Sequence, residues 1–391
     1  MKIRQNLAFF IIIVVLSFTF ITGGCTKRTY VMPSYTPEPF DAYNGHCYAV
    51  VDEWNEHPYD GSYFILFDLD EATVVRRIPL QGMQSFLCSG ITYYWNKKYC
   101  FLASDYGWNG SSYDDMVVID SETGRITKIP VSSSGTISGI TGSGKLYILS
   151  PYVSNGSLVI ESVDVGRETT SEATCSSRGP AWMIGEQFIY PSEKYSYAMA
   201  NEGGPGKAYI MGFNTDTDNE ELIYDLDQEL GIGIGTVGSD GKIYLTVTPR
   251  GMDDDDITKY PKNAILVIDP ESRSLLRTID MPDAKWIFGD IGENAVEKDW
   301  YVSTACYYNG EIYLLASLDI SPYPSRLFKC NINTGEFENL FETYHSGRMS
   351  TVNHWLVIDD NPFDRCDKEI TVIDLTTDAT VGTYNISAMH Q

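Results

Sequence analysis

The chain has 391 residues, 43% of them apolar and 13% aromatic, which is ample material for one large core or two small ones. Its formal charge is −25. A field of that sign repels phosphate backbones and anionic headgroups, so it argues against nucleic acid as a partner and leaves cations and cationic surfaces open.

At the N-terminus Lys2 and Arg4 precede the apolar run Leu7 to Thr22, which ends in Gly23-Gly24-Cys25. This is the layout of a secretory signal peptide, and the run is too short for a comfortable membrane span. Small residues leading straight into Cys resemble the lipobox of bacterial lipoproteins, although Thr22 stands where that motif usually has Leu. The resemblance implies a signal peptide over 1–24, a lipid on Cys25 and a Pro-containing tether over 25–41. The protein is then exported and held by its lipid alone, at the outer face of the cytoplasmic membrane or at the outer membrane. An ordinary signal peptide followed by an incidental thiol is the alternative.

Once Cys25 is assigned to lipid, seven cysteines remain: Cys47, Cys88, Cys100, Cys175, Cys306, Cys330 and Cys366. An odd, scattered set is not a disulfide framework, and without a CxxC pair it offers no metal cluster. Several lie in apolar strand-like stretches, where a free Cys behaves as a small hydrophobe.

An internal repeat organises the rest. "NGHCYAV" at Asn44 recurs as "NKKYCFL" at Asn96, "SGKLYIL" at Ser143, "IGEQFIY" at Ile184, "DGKIYLT" at Asp240, "NGEIYLL" at Asn309 and "VNHWLVI" at Val352. Each is a tight turn entering an apolar-aromatic strand, the signature of a hairpin. A strand, a short Asp/Asn/Thr/Gly turn and another strand follow, as in "MVVIDSETGRITKIPV" (116–131) and "AILVIDPESRSLLRTIDM" (264–281). With a Gly/Ser-rich stretch before each hairpin, every unit reads as four antiparallel strands. Seven units of about fifty residues predict an all-β fold, a seven-bladed β-propeller of four-stranded antiparallel blades over 42–388.

"VIDPESRSLLRTIDM" and "VIDSETGRITKIPV" resemble the repeats of the YVTN family of β-propellers, and the likeness extends over most of 37–388. That family includes cell-surface proteins, periplasmic binding-type propellers and relatives of lactonases, so the resemblance implies a fold far more than an activity.

Two glycine motifs invite a nucleotide reading and fail it. "GITGSGKLYIL", from Gly139, has Walker A spacing, but Leu146 follows the Lys where Ser or Thr is needed, and a strand replaces the helix. "GIGTVG" (233–238) matches G-x-G-x-x-G yet also runs into a strand. It reads as a crowded innermost strand where Gly lets neighbouring blades approach.

The connections between second and third strands are long in nearly every unit: 52–62, 104–115, 191–207, 248–263, 318–326 and 359–369. In a propeller all emerge on one face, and long loops on a rigid scaffold carry binding. They hold Trp54, Tyr59, Tyr106, Trp108, Tyr195, Tyr197, Tyr260 and Tyr323, with Asp253, Asp254, Asp255 and Asp256 as adjacent carboxylates. An acidic aromatic face has the chemistry to stack on a neutral glycan or on peptide aromatics, to bind a cationic protein ligand, or to hold Ca²⁺ by oxygen ligands. No other cofactor is implied. The structural alternative is that these aromatics cover loop interiors and the acids keep the surface solvated.

The catalytic inventory is thin. The five histidines show no HxxxH spacing, and no G-x-S-x-G elbow is present. His46 and His354 fall at equivalent hairpin positions. His345 and Arg348, in the last blade-to-blade connector, form the candidate catalytic pair. The sequence thus points to a membrane-anchored extracytoplasmic binding scaffold; the alternative is a lactonase-like or other hydrolase using the central funnel.

Overall fold

The computed structural model divides the chain into a short unit, Met1–Tyr35, and a compact unit, Thr36–Gln391. It describes residues 47–386 and 389 apart from 54–61, 81–91, 107–111, 132–135, 138–139, 155–156, 176–194, 202–207, 227–234, 248–262, 283–284, 288–296, 300, 318–324, 344–347 and 361–368. The signal peptide, Cys25 and the tether lie outside the described residues, as does the "IGEQFIY" copy.

Every described strand pairs antiparallel with its chain neighbour, so the unit is a series of separate meandering sheets. The first holds Cys47–Glu53, Ser62–Asp68 and Thr73–Leu80, and the second Tyr93–Trp95, Lys98–Tyr106, Ser112–Asp120 and Ile126–Val131. The third holds Thr136–Ile137, Lys145–Ser154, Ser157–Asp164 and Thr169–Cys175, and the fourth Tyr195–Asn201, Ala208–Asn214 and Glu220–Asp225. The fifth is Gly235–Val237, Ile243–Val247, Ala264–Asp269 and Ser274–Asp280; a ribbon of Lys285–Ile287 and Glu297–Asp299 follows it. The sixth is Tyr301–Tyr308, Glu311–Ser317, Ser325–Asn331 and Phe337–Thr343, and the seventh Arg348–Val352, Trp355–Asp360, Glu369–Asp374 and Ala379–Asn385. The fold is an all-β propeller with antiparallel four-stranded blades. Where the repeat predicts seven, five blades have four strands among the described residues, beside two three-stranded sheets.

The turn before each sheet's last strand repeats at residue level. In all seven sheets of three or four strands the next-to-last strand ends on Asp or Asn: Asp68, Asp120, Asp164, Asn214, Asp269, Asn331 and Asp374. The side-chain oxygen accepts backbone amides two or three residues on, as from Glu122 and Thr123 to Asp120 (3.0 and 2.9 Å) and from Asn333 and Thr334 to Asn331 (3.0 and 3.1 Å). This closes an Asx turn. Four residues on, the backbone enters the left-handed region in every copy: Ala72, Gly124, Glu168, Asp218, Arg273, Gly335 and Asp378, with φ from 53° to 80°. Only two of these seven are glycine, so five side chains stand where the backbone alone prefers none.

Because sheet faces meet sheet faces, the strands that end on Asx are apolar on both sides: Phe64 to Phe67, Met116 to Ile119 and Ala264 to Leu266 are essentially fully buried. The faces alternate regularly. Cys100, Leu102, Met116 and Val118 of the second sheet pack on Leu146, Ile148, Val163 and Val165 of the third. Tyr147 stacks on Phe213 between the third and fourth (5.6 Å). Apolar clusters join the fourth to the fifth, the fifth to the sixth and the sixth to the seventh. Phe64 packs on Tyr99 and Phe101 between the first and second. The last sheet returns to the first, with Val357, Ile370, Val372 and Ile386 against Ile65, Phe67 and Leu69.

Candidate functional site

The strand ends define two faces. On one lie the Asx turns and, in the four-stranded sheets, the hairpins between first and second strands. On the other, the strand before each Asx strand hands over to it through 54–61, 107–111, 202–207, 248–263, 318–324 and 361–368.

On the turn face, in every sheet but the fifth, the strand before the Asx strand begins beside the Asx residue, as in Lys98↔Asp120, Lys145↔Asp164, Tyr195↔Asn214 and Trp355↔Asp374. Because strands alternate faces, that first residue and the one two on lean toward the next sheet. There they meet the left-handed position of the next Asx turn. Lys145 Nζ lies 3.0 Å from Asp218 Oδ1, and the Tyr147 hydroxyl donates to the same carboxylate at 2.9 Å. Lys98 reaches Glu168 at 3.1 Å, and Arg125 joins it. Tyr313 donates to Asp378 at 3.0 Å, with Lys329 paired to the same carboxylate. The charges reverse at one boundary, where Arg273 is the turn residue and Glu221 its partner at 2.6 Å. At another, Gly335 leaves room for Arg277, which donates to the carbonyls of Ile332 and Asn333 at 2.7 Å each. The turn face is therefore a series of latches, each tying one sheet to the next.

These contacts set the titration of the groups. Burial pushes the phenols of Tyr147, Tyr244 and Tyr313 up, reinforced by their hydrogen bonds to Asp218, Asp240 and Asp378 respectively. Partial burial raises Glu168, but Lys98 and Arg125 outweigh it and hold the carboxyl below its ordinary range. The hydrogen bond to Asp378 leads the influences that raise Lys329. Burial alone pushes the Cys100 and Cys306 thiols up to about 12, and desolvation also dominates at Cys330, likewise about 12. All three cysteines are free and buried.

Both glycine motifs resolve as turns and close packing. Gly144 (φ 82°) donates its amide to Thr141 O at 2.9 Å, and a Cβ there would fall 2.6 Å from the Trp95 ring. In "GIGTVG", Gly235–Val237 is the first strand of the fifth sheet, and a Cβ on Gly238 would meet Tyr244 at 2.7 Å and Tyr307 of the sixth sheet at 3.0 Å. The close approach expected there is present.

The sequence candidates divide between the two faces. Tyr195 and Tyr197, expected in a loop over 191–207, lie in the strand Tyr195–Asn201, because "YSYAMAN" pairs along its whole length with Ala208–Asn214. Tyr195 is at the turn-face end, and its hydroxyl donates to Glu221 at 3.3 Å. Tyr197 is 2% exposed, within the core between the fourth and fifth sheets. Tyr106 ends the strand Lys98–Tyr106 opposite Ser112, beside 107–111 on the loop face. Arg348 begins the innermost strand of the seventh sheet, opposite Asp359. His354 is in the hairpin turn, its ring 4.3 Å from that of Trp355. Trp54, Tyr59, Trp108, Tyr260, Tyr323, His345 and Asp253 to Asp256 lie outside the described residues. Among the described residues, no three His, Cys, Asp or Glu side chains converge to hold a metal ion.

Two features escape a reading of single motifs. The latch carboxylates Glu168, Asp218 and Asp378 are invisible until the repeats are aligned on their Asx residues. Glu161, 5% exposed, occupies the position that Ile65, Val117, Met211, Leu266 and Phe328 fill in five other sheets, so one boundary contains a buried carboxyl.

No family model matches the chain, and no curated protein matches it. Solved structures do. The β-propeller domain of the trilobed protease from Pyrococcus furiosus, described as having an open velcro topology, is 14% identical with a TM-score of 0.54, over 89% of this chain and 94% of that one. A putative 6-phosphogluconolactonase from Bacteroides uniformis is 12% identical with a TM-score of 0.51, over 87% and 96%. The tricorn protease is 12% identical with a TM-score of 0.52, over 89% of this chain and 35% of its own. At these identities the likeness is one of fold.

Proposed function

We propose that the protein is a lipid-anchored extracytoplasmic binding scaffold that captures its ligand on the loop face. The two three-stranded sheets are blades of the same kind as the other five, giving seven. Cys25 carries the lipid, as the Gly23-Gly24-Cys25 sequence suggests. Trp54, Tyr59, Tyr106, Trp108, Tyr260 and Tyr323 supply aromatic surface for a glycan or a protein ligand, and Asp253 to Asp256 attract a cationic ligand or Ca²⁺. The observation that carries this reading is the asymmetry of the faces. Lys98, Lys145, Tyr147, Tyr313 and Lys329 are engaged between sheets on the turn face, whereas the long, aromatic and acidic segments all depart from the other.

A lactonase-like or other hydrolase in the central funnel is the second reading. It is favoured by Arg348, which starts an innermost strand at the loop-face end, with His345 three residues before it. The B. uniformis neighbour is named as a putative 6-phosphogluconolactonase, and that chemistry is the one to assay.

Two measurements test the proposal. Cys25→Ser should release the protein from the membrane fraction or block its processing; retention with normal cleavage removes the lipid anchor. A soluble form beginning at Thr26 should bind a member of a panel of neutral oligosaccharides, basic peptides and CaCl₂ without turning over a phosphorylated sugar lactone. Lactone turnover abolished by Arg348→Ala would favour the enzyme.

A further inference from the structure

Five innermost strands are described: Tyr93–Trp95, Thr136–Ile137, Gly235–Val237, Tyr301–Tyr308 and Arg348–Val352. Four of them pair with their second strands in unbroken register. The sixth-sheet strand does not. Val302 stands opposite Ala316 and Thr304 opposite Leu315, so Ser303 is an extra residue, the mark of a β-bulge. A bulge withdraws one residue from the ladder, and bulges recur beside active sites, where they re-aim a side chain.

The bulge has a fixed neighbour. The Met349 amide, in the innermost strand of the seventh sheet, donates to the Thr304 hydroxyl oxygen at 3.3 Å, so the two innermost strands lie side by side at this level. Tyr301 pairs with Ser317 and Arg348 with Asp359, which places both strand starts at the loop-face end. One residue back along each strand, Ser303 and Arg348 are therefore neighbours on the loop-face side of that bond. Because the Thr304 oxygen accepts there, its O–H can donate elsewhere. Arg348 is also the one charged residue in these five described strands. Asp359 stands opposite it in the register, and one carboxylate engages two of a guanidinium's five donors.

We propose that Ser303, Thr304 and Arg348 form a subsite for the oxyanion of a small ligand, a carboxylate or a phosphoryl group, at the loop-face end of the sixth and seventh innermost strands. A guanidinium beside two hydroxyls has the chemistry for it: a forked cation for two oxygens of the anion and neutral donors for the others. The formal charge of −25 disfavours anions at long range. That field is screened over about 8 Å at physiological salt, so the group adjacent to the ligand decides. The subsite requires neither the lipid anchor nor capture by the aromatic loops, and it serves a ligand that is held as well as one that is turned over.

Phenylglyoxal, which modifies arginine, tests this in the full-length protein under native conditions, with each arginine followed by peptide mass spectrometry. The probes are inorganic phosphate and sodium gluconate, a hydroxylated carboxylate without a phosphoryl group. Arg348 should react, and one or both probes should slow it at least about tenfold at saturation. Arg167, whose side chain is 83% exposed on the turn face, should react at an unchanged rate. Protection by phosphate alone assigns a phosphoryl ligand, and protection by gluconate alone a carboxylate. Ser303→Ala should raise the half-protecting probe concentration at least about fivefold, as expected for one lost hydrogen bond to a charged group, without altering the unprotected rate. Ser303→Thr, which keeps a hydroxyl, should stay near the parent value. An unreactive Arg348, protection by neither probe, equal protection of Arg167, or a half-protecting concentration that Ser303→Ala does not change overturns the subsite.

Discussion

Lys145 Nζ lies 3.0 Å from Asp218 Oδ1, across the boundary between two consecutive sheets, and the Tyr147 hydroxyl shares that carboxylate. The lysine of the Walker-like stretch is thus the donor of an inter-blade latch. Asp218 holds its place at φ 54°, in a region that disfavours a side chain. Asp218→Ala should cost about 1–3 kcal/mol, because it leaves a lysine and a phenol part-buried without their acceptor. Asp218→Gly should cost less, since it relieves the backbone while losing the same bonds. Chemical denaturation of the two variants beside the parent measures both.

The same turn position offers an experiment of opposite sign. Ala72 has φ 53° and no latch, so Ala72→Gly should stabilise by about 0.5–1 kcal/mol. Gly335→Ala should destabilise, because φ is +80° and the new Cβ would lie 2.9 Å from Arg277 Nη2, displacing a guanidinium that holds the turn carbonyls. Thermal melts that move in the same direction for both would contradict the assignment.

Acid should weaken the ring in a defined way. Asp374 is held below its ordinary range first by the Thr376 hydroxyl; Asp120, Glu168 and Asp269 are also lowered, their hydrogen bonds and cations outweighing partial burial. A depressed folded value means that the stabilisation is fully present above the unfolded pKa, about 4, and is lost as pH falls through the folded value. The melting temperature should therefore fall below about pH 4. Glu168→Gln should lower it near neutral pH and flatten its slope in acid. An unchanged slope would mean that Lys98 and Arg125 contribute little to Glu168.

How far the sequence reveals this molecule depends on how local each signal is. Turn-strand copies such as "SGKLYIL" and "NGEIYLL" announce their strands because Gly or Asn at positive φ and the apolar run act within a few residues. The fourth unit misleads for the same reason. "IGEQFIY" carries the local pattern, but the strand paired with Ala208–Asn214 is "YSYAMAN", chosen by the packing of Tyr197 among Ile210, Ile223 and Leu245. Local pattern alone therefore puts Tyr195 and Tyr197 in a loop. The latches are non-local in sequence: Lys98 to Glu168 and Lys145 to Asp218 each span some seventy positions. They become legible only when a Lys or Tyr entering one unit is compared with the residue four beyond the Asx of the next.

The proposed scaffold captures its ligand on the face of long loops and not on the latched turn face. The most direct measurement is calorimetric titration of the soluble form beginning at Thr26 with the oligosaccharide, basic peptide or Ca²⁺ that it binds. It is repeated on a loop-face variant, Trp54→Ala, Trp108→Ala and Asp253 to Asp256→Asn, and on a turn-face variant, Glu271→Ala and Glu336→Ala, where both turn-face residues are exposed. Loop-tip changes leave the core in place, so all three proteins should melt alike. The expected result is at least about tenfold weaker binding, some 1.4 kcal/mol, for the loop-face variant and unchanged affinity for the turn-face one. Equal affinity of the loop-face variant and the parent would contradict the claim and move the site to the central funnel near His345 and Arg348.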